Sequence, residues 1–141
     1  MSVRERTKSI IFFPCSRGSR VRRFYLIQKL DMKKEQMKYH HIGIPTKSSQ
    51  DGETYLEEYD IHCTDHEKSP YGIQWMRYGE KCRLPTIVKE IAHIAFEVED
   101  LRKAIEGKEV IIEPNSPSKG VTVAFILENG VPVELLELSK K

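Results

Sequence analysis

His93-Ile94-Ala95-Phe96-Glu97-Val98-Glu99-Asp100-Leu101 is the stretch that decides how this chain is read. Alternation over residues 93–98 sends Ile94, Phe96 and Val98 to one face of a strand and His93, Ala95 and Glu97 to the other. Asp100 stands where it can cap a short helix through Leu101, Ala104 and Ile105, with Gly107 as the stop. Strands are expected at 110–112, 121–127 and 132–138. Pro114-Asn115-Ser116-Pro117 with Gly120 forms a loop between the first two, and Asn129-Gly130 signals a hairpin between the last two. The order for this half is β-α-β-β-β.

Working outward, the same opening occurs 52 residues earlier, where His41-Ile42-Gly43-Ile44 matches His93-Ile94-Ala95-Phe96. Residues 39–45 alternate, 46–53 read as a polar loop and 55–63 as an extended stretch. Ser69-Pro70-Tyr71-Gly72 is a turn before a strand at 73–78, and 79–90 is a connection with a short helical piece. Each copy of the His motif is followed by a strand with one polar residue among apolar ones. In the first half this is Ile73-Gln74-Trp75-Met76; in the second it is Val133-Glu134-Leu135-Leu136. Each repeat therefore offers one imidazole and one side-chain oxygen. Two nitrogens and two oxygens suit a divalent ion of the first transition row, with water completing the shell. Such an ion, little compensated by one carboxylate, polarises a bound carbonyl or activates water. A single histidine in a strand is usually structural; the matched pairs are what favour a ligand set.

Length and composition agree with one small cored domain. The chain has 141 residues, 39% of them hydrophobic and 31% charged, and no apolar run nears the roughly 20 residues that span a bilayer. Cys15, Cys63 and Cys82 form no C-x-x-C and cannot all pair, which argues against a disulfide scaffold or a thiolate zinc site. A cytoplasmic protein with reduced thiols is expected. Residues 1–36 hold ten Lys/Arg against three Asp/Glu, whereas 37–141 hold 13 against 18. The bulk of the chain is mildly acidic, which disfavours a nucleic-acid surface there, and the basic excess of 1–36 is read as an appendage rather than a nucleic-acid arm. Residues 1–36 are expected to be a basic extension, disordered or preceding a working start at Met32 or Met37, and 37–141 to be the domain.

The two His motifs, with Val133-Glu134-Leu135-Leu136-Glu137, resemble the vicinal oxygen chelate superfamily over roughly residues 38–138. That group includes glyoxalase I, methylmalonyl-CoA epimerase, fosfomycin-resistance enzymes, bleomycin-binding proteins and extradiol dioxygenases. The resemblance implies an α+β fold of two βαβββ modules pairing into a curved sheet cup. It also implies metal ligands at His41, Gln74, His93 and Glu134, on the first, fourth, fifth and eighth strands, with glutamine at Gln74 as in the epimerase type. Glu134 is preferred to Glu137 because the family's ligand is the first acid of that string, and the two lie on opposite strand faces. The first module departs from the pattern, because 46–58 offers only a short polar helix candidate around 54–59; its helix is short or missing. No family base has a match. Glu97, on the His93 side, is the nearest candidate, against a salt-bridged role.

The resemblance thus implies a metal-dependent lyase or isomerase on a small substrate chelated through two oxygens, stabilising an enediolate-like intermediate. The ion would be nickel, cobalt, zinc, manganese or iron, and the protein a homodimer with neither nucleic-acid nor membrane partner. The alternatives are a metal-free binding protein of the bleomycin-resistance type and a non-haem iron dioxygenase. Other motifs read blandly. His62-Cys63-x-x-His66 is taken as a surface turn containing Asp65, His40 as pointing away from the cup, and Tyr71, Trp75 and Tyr78 as core. Cys63 and Cys82 have no adjacent base, and no phosphate-binding loop is present.

Overall fold

The computed structural model describes residues 37–139; the expected extension 1–36 lies outside them. The described residues form eight strands: β1 Met37–Pro45, β2 Thr54–Leu56, β3 Ile61–Cys63, β4 Ile73–Tyr78, β5 His93–Val98, β6 Glu109–Ser118, β7 Val121–Glu128 and β8 Val131–Leu138. The helices are α1 Thr86–Glu90 and α2 Leu101–Ile105, and a 3-10 turn covers His66–Lys68. None of the described helices is long and apolar enough to cross a membrane.

All eight strands join one mixed sheet in the order β2-β3-β4-β1-β5-β8-β7-β6. Read inward from either edge the plan is the same. Antiparallel pairs lead to a strand that runs parallel to the opening strand of its own half, β4 beside β1 and β8 beside β5. The opening strands then meet antiparallel in the middle, with Ile42 opposite Ile94. The β2 and β6 strands end the order at opposite edges, yet Leu56 and Ile112 line one cavity with His41 and Glu134. The sheet is therefore curled, with that cavity on its concave side.

The second half follows local sequence closely. Asp100 Oδ1 accepts from the Lys103 backbone N–H at 3.0 Å, capping α2, and Gly107 beyond it has φ +68°. Leu101 packs with Val98, Ala124, Ile126 and Leu135 in the core of the convex side. Asn129 and Gly130 both have positive φ, 50° and 79°, as the tight hairpin between β7 and β8 demands. Contrary to the loop expected there, β6 runs on through Pro114 and Pro117. Its position at the sheet edge and its register shifts accommodate residues that cannot donate to a ladder.

The first half departs further. No helix lies between β1 and β2. The stretch 55–63 is not continuous, because it folds into the β2–β3 hairpin, where Asp60 adopts φ +53°. The Asp60 carboxylate accepts from the Tyr55 hydroxyl at 3.0 Å and from the Lys81 backbone N–H at 2.8 Å, which holds that turn. A β-bulge also interrupts β1. Tyr39 pairs with Phe96 and His41 with Ala95, so His40 is an extra residue on β1.

Candidate metal centre

His41 and His93 occupy the two central strands, and Glu134 lies on β8 beside β5. All three are buried, at 5%, 1% and 9% exposure. The pairing brings them together. Each His sits two residues before a small residue, Gly43 or Ala95, and these pair across the centre as His41–Ala95 and Gly43–His93. The same small residues pair outward with Gln74 and Glu134 respectively. The two polar residues thus hold equivalent register positions in the two halves.

The consequence is a tight cluster. Glu134 Oε2 lies 3.3 Å from His41 Nε2 and 3.1 Å from His93 Nε2. These nitrogens are nonetheless buried without an aligned hydrogen bond, as is His93 Nδ1. Leaving such atoms unsatisfied costs about 1–3 kcal/mol each. Nitrogens that converge on a carboxylate oxygen without hydrogen-bonding to it fit a cation placed among them. The ligating atoms of His41, His93 and Glu134 all lie within 4.8 Å of one another, so the three could hold a metal ion. Burial works to raise the Glu134 carboxyl, but the two imidazoles beside it prevail and hold it well below the usual carboxylate range. The site thus keeps one fixed negative charge.

Packing holds the rings in place. A Cβ on Gly43 would fall 2.7 Å from His93 Nδ1 and closer still to Cε1 and Nε2. That is the physical reason for glycine in His41-Ile42-Gly43-Ile44. Phe125 meets the His93 ring edge-on at 5.0 Å.

Gln74, His41 and Glu134 line a cavity of about 360 Å³, while His93 is buried behind them. Much of the remaining wall is apolar, including Ile61, Met76, Phe125 and Leu136. Cys63 is also on the wall, where burial and then the Glu53 charge push its thiol pKa up. The candidate base Glu97 is not on the wall; its carboxylate lies 3.7 Å from Lys38 Nζ across the β1–β5 pair. Tyr71 and Trp75 are exposed, at 75% and 37%, rather than core; Tyr71 stands in the turn before β4, and Trp75 faces away from the cavity that Gln74 and Met76 line. Tyr78 is part-buried, and burial raises its hydroxyl pKa.

Two residues read as bland belong to the site. The bulge turns His40 onto the cavity wall, instead of away from it, and places its Nδ1 2.8 Å from His41 Nδ1. His66 also lines the cavity, with its ring 4.7 Å from that of His40 and 5.0 Å from that of His41. Asp65 does cap the local turn, accepting from Glu67 N–H at 3.0 Å, and thereby presents His66 inward. Burial, and then the neighbouring His41 and His66, lower the His40 pKa. His62 leaves this group and stacks on Tyr55.

No protein-family model matches the sequence, and no curated protein does. Among solved structures, the hypothetical protein BH1468 from Bacillus halodurans C-125 is similar. It is 22% identical with a TM-score of 0.58, over 74% of this chain and 96% of that one. The likeness is one of fold, and the curled mixed sheet is compatible with a glyoxalase-like architecture.

Proposed function

We propose that this protein is a metal-dependent lyase or isomerase of the vicinal oxygen chelate type, built from two βαβββ modules of which the first lacks its helix. The observation that carries this reading is the convergence of unpartnered His41 Nε2 and His93 Nε2 on Glu134 Oε2. Gln74, in the register position equivalent to Glu134, is the fourth ligand. The bound divalent ion, of nickel, cobalt, zinc, manganese or iron, supplies Lewis-acid polarisation of two substrate oxygens. His41, His93 and Gln74 bind as neutral groups and Glu134 contributes one negative charge, which leaves the site electrophilic. Ile61, Met76, Phe125 and Leu136 exclude water and receive an apolar portion of a compact substrate. With Glu97 turned to Lys38, no side chain is assigned as the base. A homodimer in the cytoplasm completes the proposal; Cys63 and Cys82 are both free thiols.

A second reading draws on one observation. His41, His93 and Glu134 are a two-histidine, one-carboxylate set of the kind that holds non-haem iron. Elemental analysis after loading with each metal tests both. Wild type should hold at least one divalent ion per chain, and His93→Ala should hold about one fewer. Turnover of hydroxyketone, thiohemiacetal or epimerisable thioester substrates supports the first reading, and iron-dependent oxygen uptake the second. Absence of bound metal from wild type removes both and leaves a small-molecule binding protein.

A further inference from the structure

The two histidines that the proposed reaction does not use, His40 and His66, form a second group with His41. Ring centres of His40, His41 and His66 are separated by 5.1, 4.7 and 5.0 Å, a nearly equilateral triangle. Three imidazoles on one tetrahedral ion at about 2.0–2.1 Å per bond have ring centres about 5 Å apart. The ligating atoms also lie within 4.8 Å of one another. Each member is delivered by a different device: His40 by the bulge, His41 by the regular strand, and His66 by the capped 3-10 turn. Two of these are local irregularities, and both aim their imidazoles into the same cavity. His40 and His66 are only part-buried, which leaves an entry path for an ion.

His41 belongs to both groups, through different atoms. Its Nε2 faces Glu134, and its Nδ1 faces His40 Nδ1. We propose that His40, His66 and His41 Nδ1 form a second transition-metal site, joined to the first through the His41 ring. A ligand set of imidazoles alone selects zinc or copper over magnesium or calcium. With both sites filled, the His41 ring gives one nitrogen to each ion and its remaining N–H proton passes to solvent. With the second site empty, the 2.8 Å approach of the two Nδ1 atoms is a single N–H···N bond, for which one proton suffices.

The test is stoichiometry on the full chain, by equilibrium dialysis against zinc or copper followed by elemental analysis. Wild type should bind two ions, His66→Ala one and His93→Ala one. His40→Ala repeats the His66 arm should that variant fold poorly. His62→Ala, which alters a histidine stacked on Tyr55, should still bind two. Equal ion counts in wild type, His66→Ala and His40→Ala overturn the second site. Loss of the ion in His66→Ala with none lost in His93→Ala keeps it and sinks the catalytic site instead. The shared ring has its own signature: the fully copper-loaded protein should lose the isolated-copper electron paramagnetic signal through coupling across His41. An undiminished signal from two independent coppers overturns the bridge.

Discussion

The two halves of the sheet keep one strand plan on the concave side and part company on the convex side. In the second half α2 covers the sheet, with Leu101 buried among Val98, Ala124, Ile126 and Leu135. In the first half, residues 46–53 form a loop, β2 and β3 have three residues each, and Trp75 is left 37% exposed. Yet Gln74 and Glu134 stand in the same register relative to Gly43 and Ala95. Whatever acts in the cavity constrains only the face that lines it, while the other face can exchange a helix for a loop. The first half also carries the bulge and the 3-10 turn, so its irregularity adds imidazoles to the cavity.

If the second half holds most of the packing energy, substitutions should separate the halves. Leu101→Ala, at a site 2% exposed, should cost about 3 kcal/mol. Trp75→Ala should cost under about 1 kcal/mol, as expected at a surface position. Urea unfolding of both variants checks this, and equal losses would break the asymmetry.

The glycine–alanine difference between the two motifs gives a sharper comparison. Gly43→Ala drives a methyl group into the His93 ring. Affinity for cobalt or zinc at the His41–His93–Glu134 set should fall about 100-fold, the upper end of what disturbing a ligand's support costs. Ala95→Gly at the equivalent position should change it far less. Competition with a chelator of known affinity measures both. Unchanged binding in Gly43→Ala would mean that the His93 ring is not a ligand.

Glu137 tests the choice between the two acids of β8. It lies on the face opposite Glu134, and its Oε2 accepts from the Leu101 backbone N–H at 2.8 Å. Glu137→Ala should cost about 1 kcal/mol by leaving that N–H without its partner. It should leave the metal count unchanged, whereas Glu134→Ala should lower it. Thermal unfolding alongside elemental analysis separates these effects.

Much of this was legible where local pattern and long-range pairing agree. Alternation over 93–98, the Asp100 cap and Asn129-Gly130 each describe neighbours in sequence, and each is found. The 52-residue repeat pointed to Gln74 and Glu134, which the structure places at equivalent positions. His40 was not legible, because a bulge is a mismatch between β1 and β5, and β1 alone reads as regular alternation. The same holds for His66, whose aim depends on the turn after β3. Two adjacent histidines and a third after His62-Cys63 were the available signal. Asp60 hid a hairpin because it takes positive φ without glycine or proline to mark it.

The smallest effect concerns what the first half has in place of its helix. Glu53, closing the 46–53 loop, pairs with the Arg77 guanidinium on β4 and accepts from Ser49 Oγ at 2.9 Å and Gln50 N–H at 3.2 Å. By strand alternation Arg77 shares the convex face with Trp75, so this contact ties the loop to that face. Arg77, ahead of the other partners, holds the Glu53 carboxyl at about 2, below its ordinary 4.5. A carboxyl depressed on folding stabilises the native state fully above its unfolded value and loses that contribution as pH falls through the folded one. The gap in melting temperature between wild type and Arg77→Ala should therefore be constant above about pH 5.5 and shrink as pH falls from 4.5 towards 2. Added salt should narrow it only modestly, because the two side chains are largely covered and such pairs are screened less than exposed ones. A gap that persists unchanged at pH 2 would assign Arg77 a packing role through its aliphatic stem.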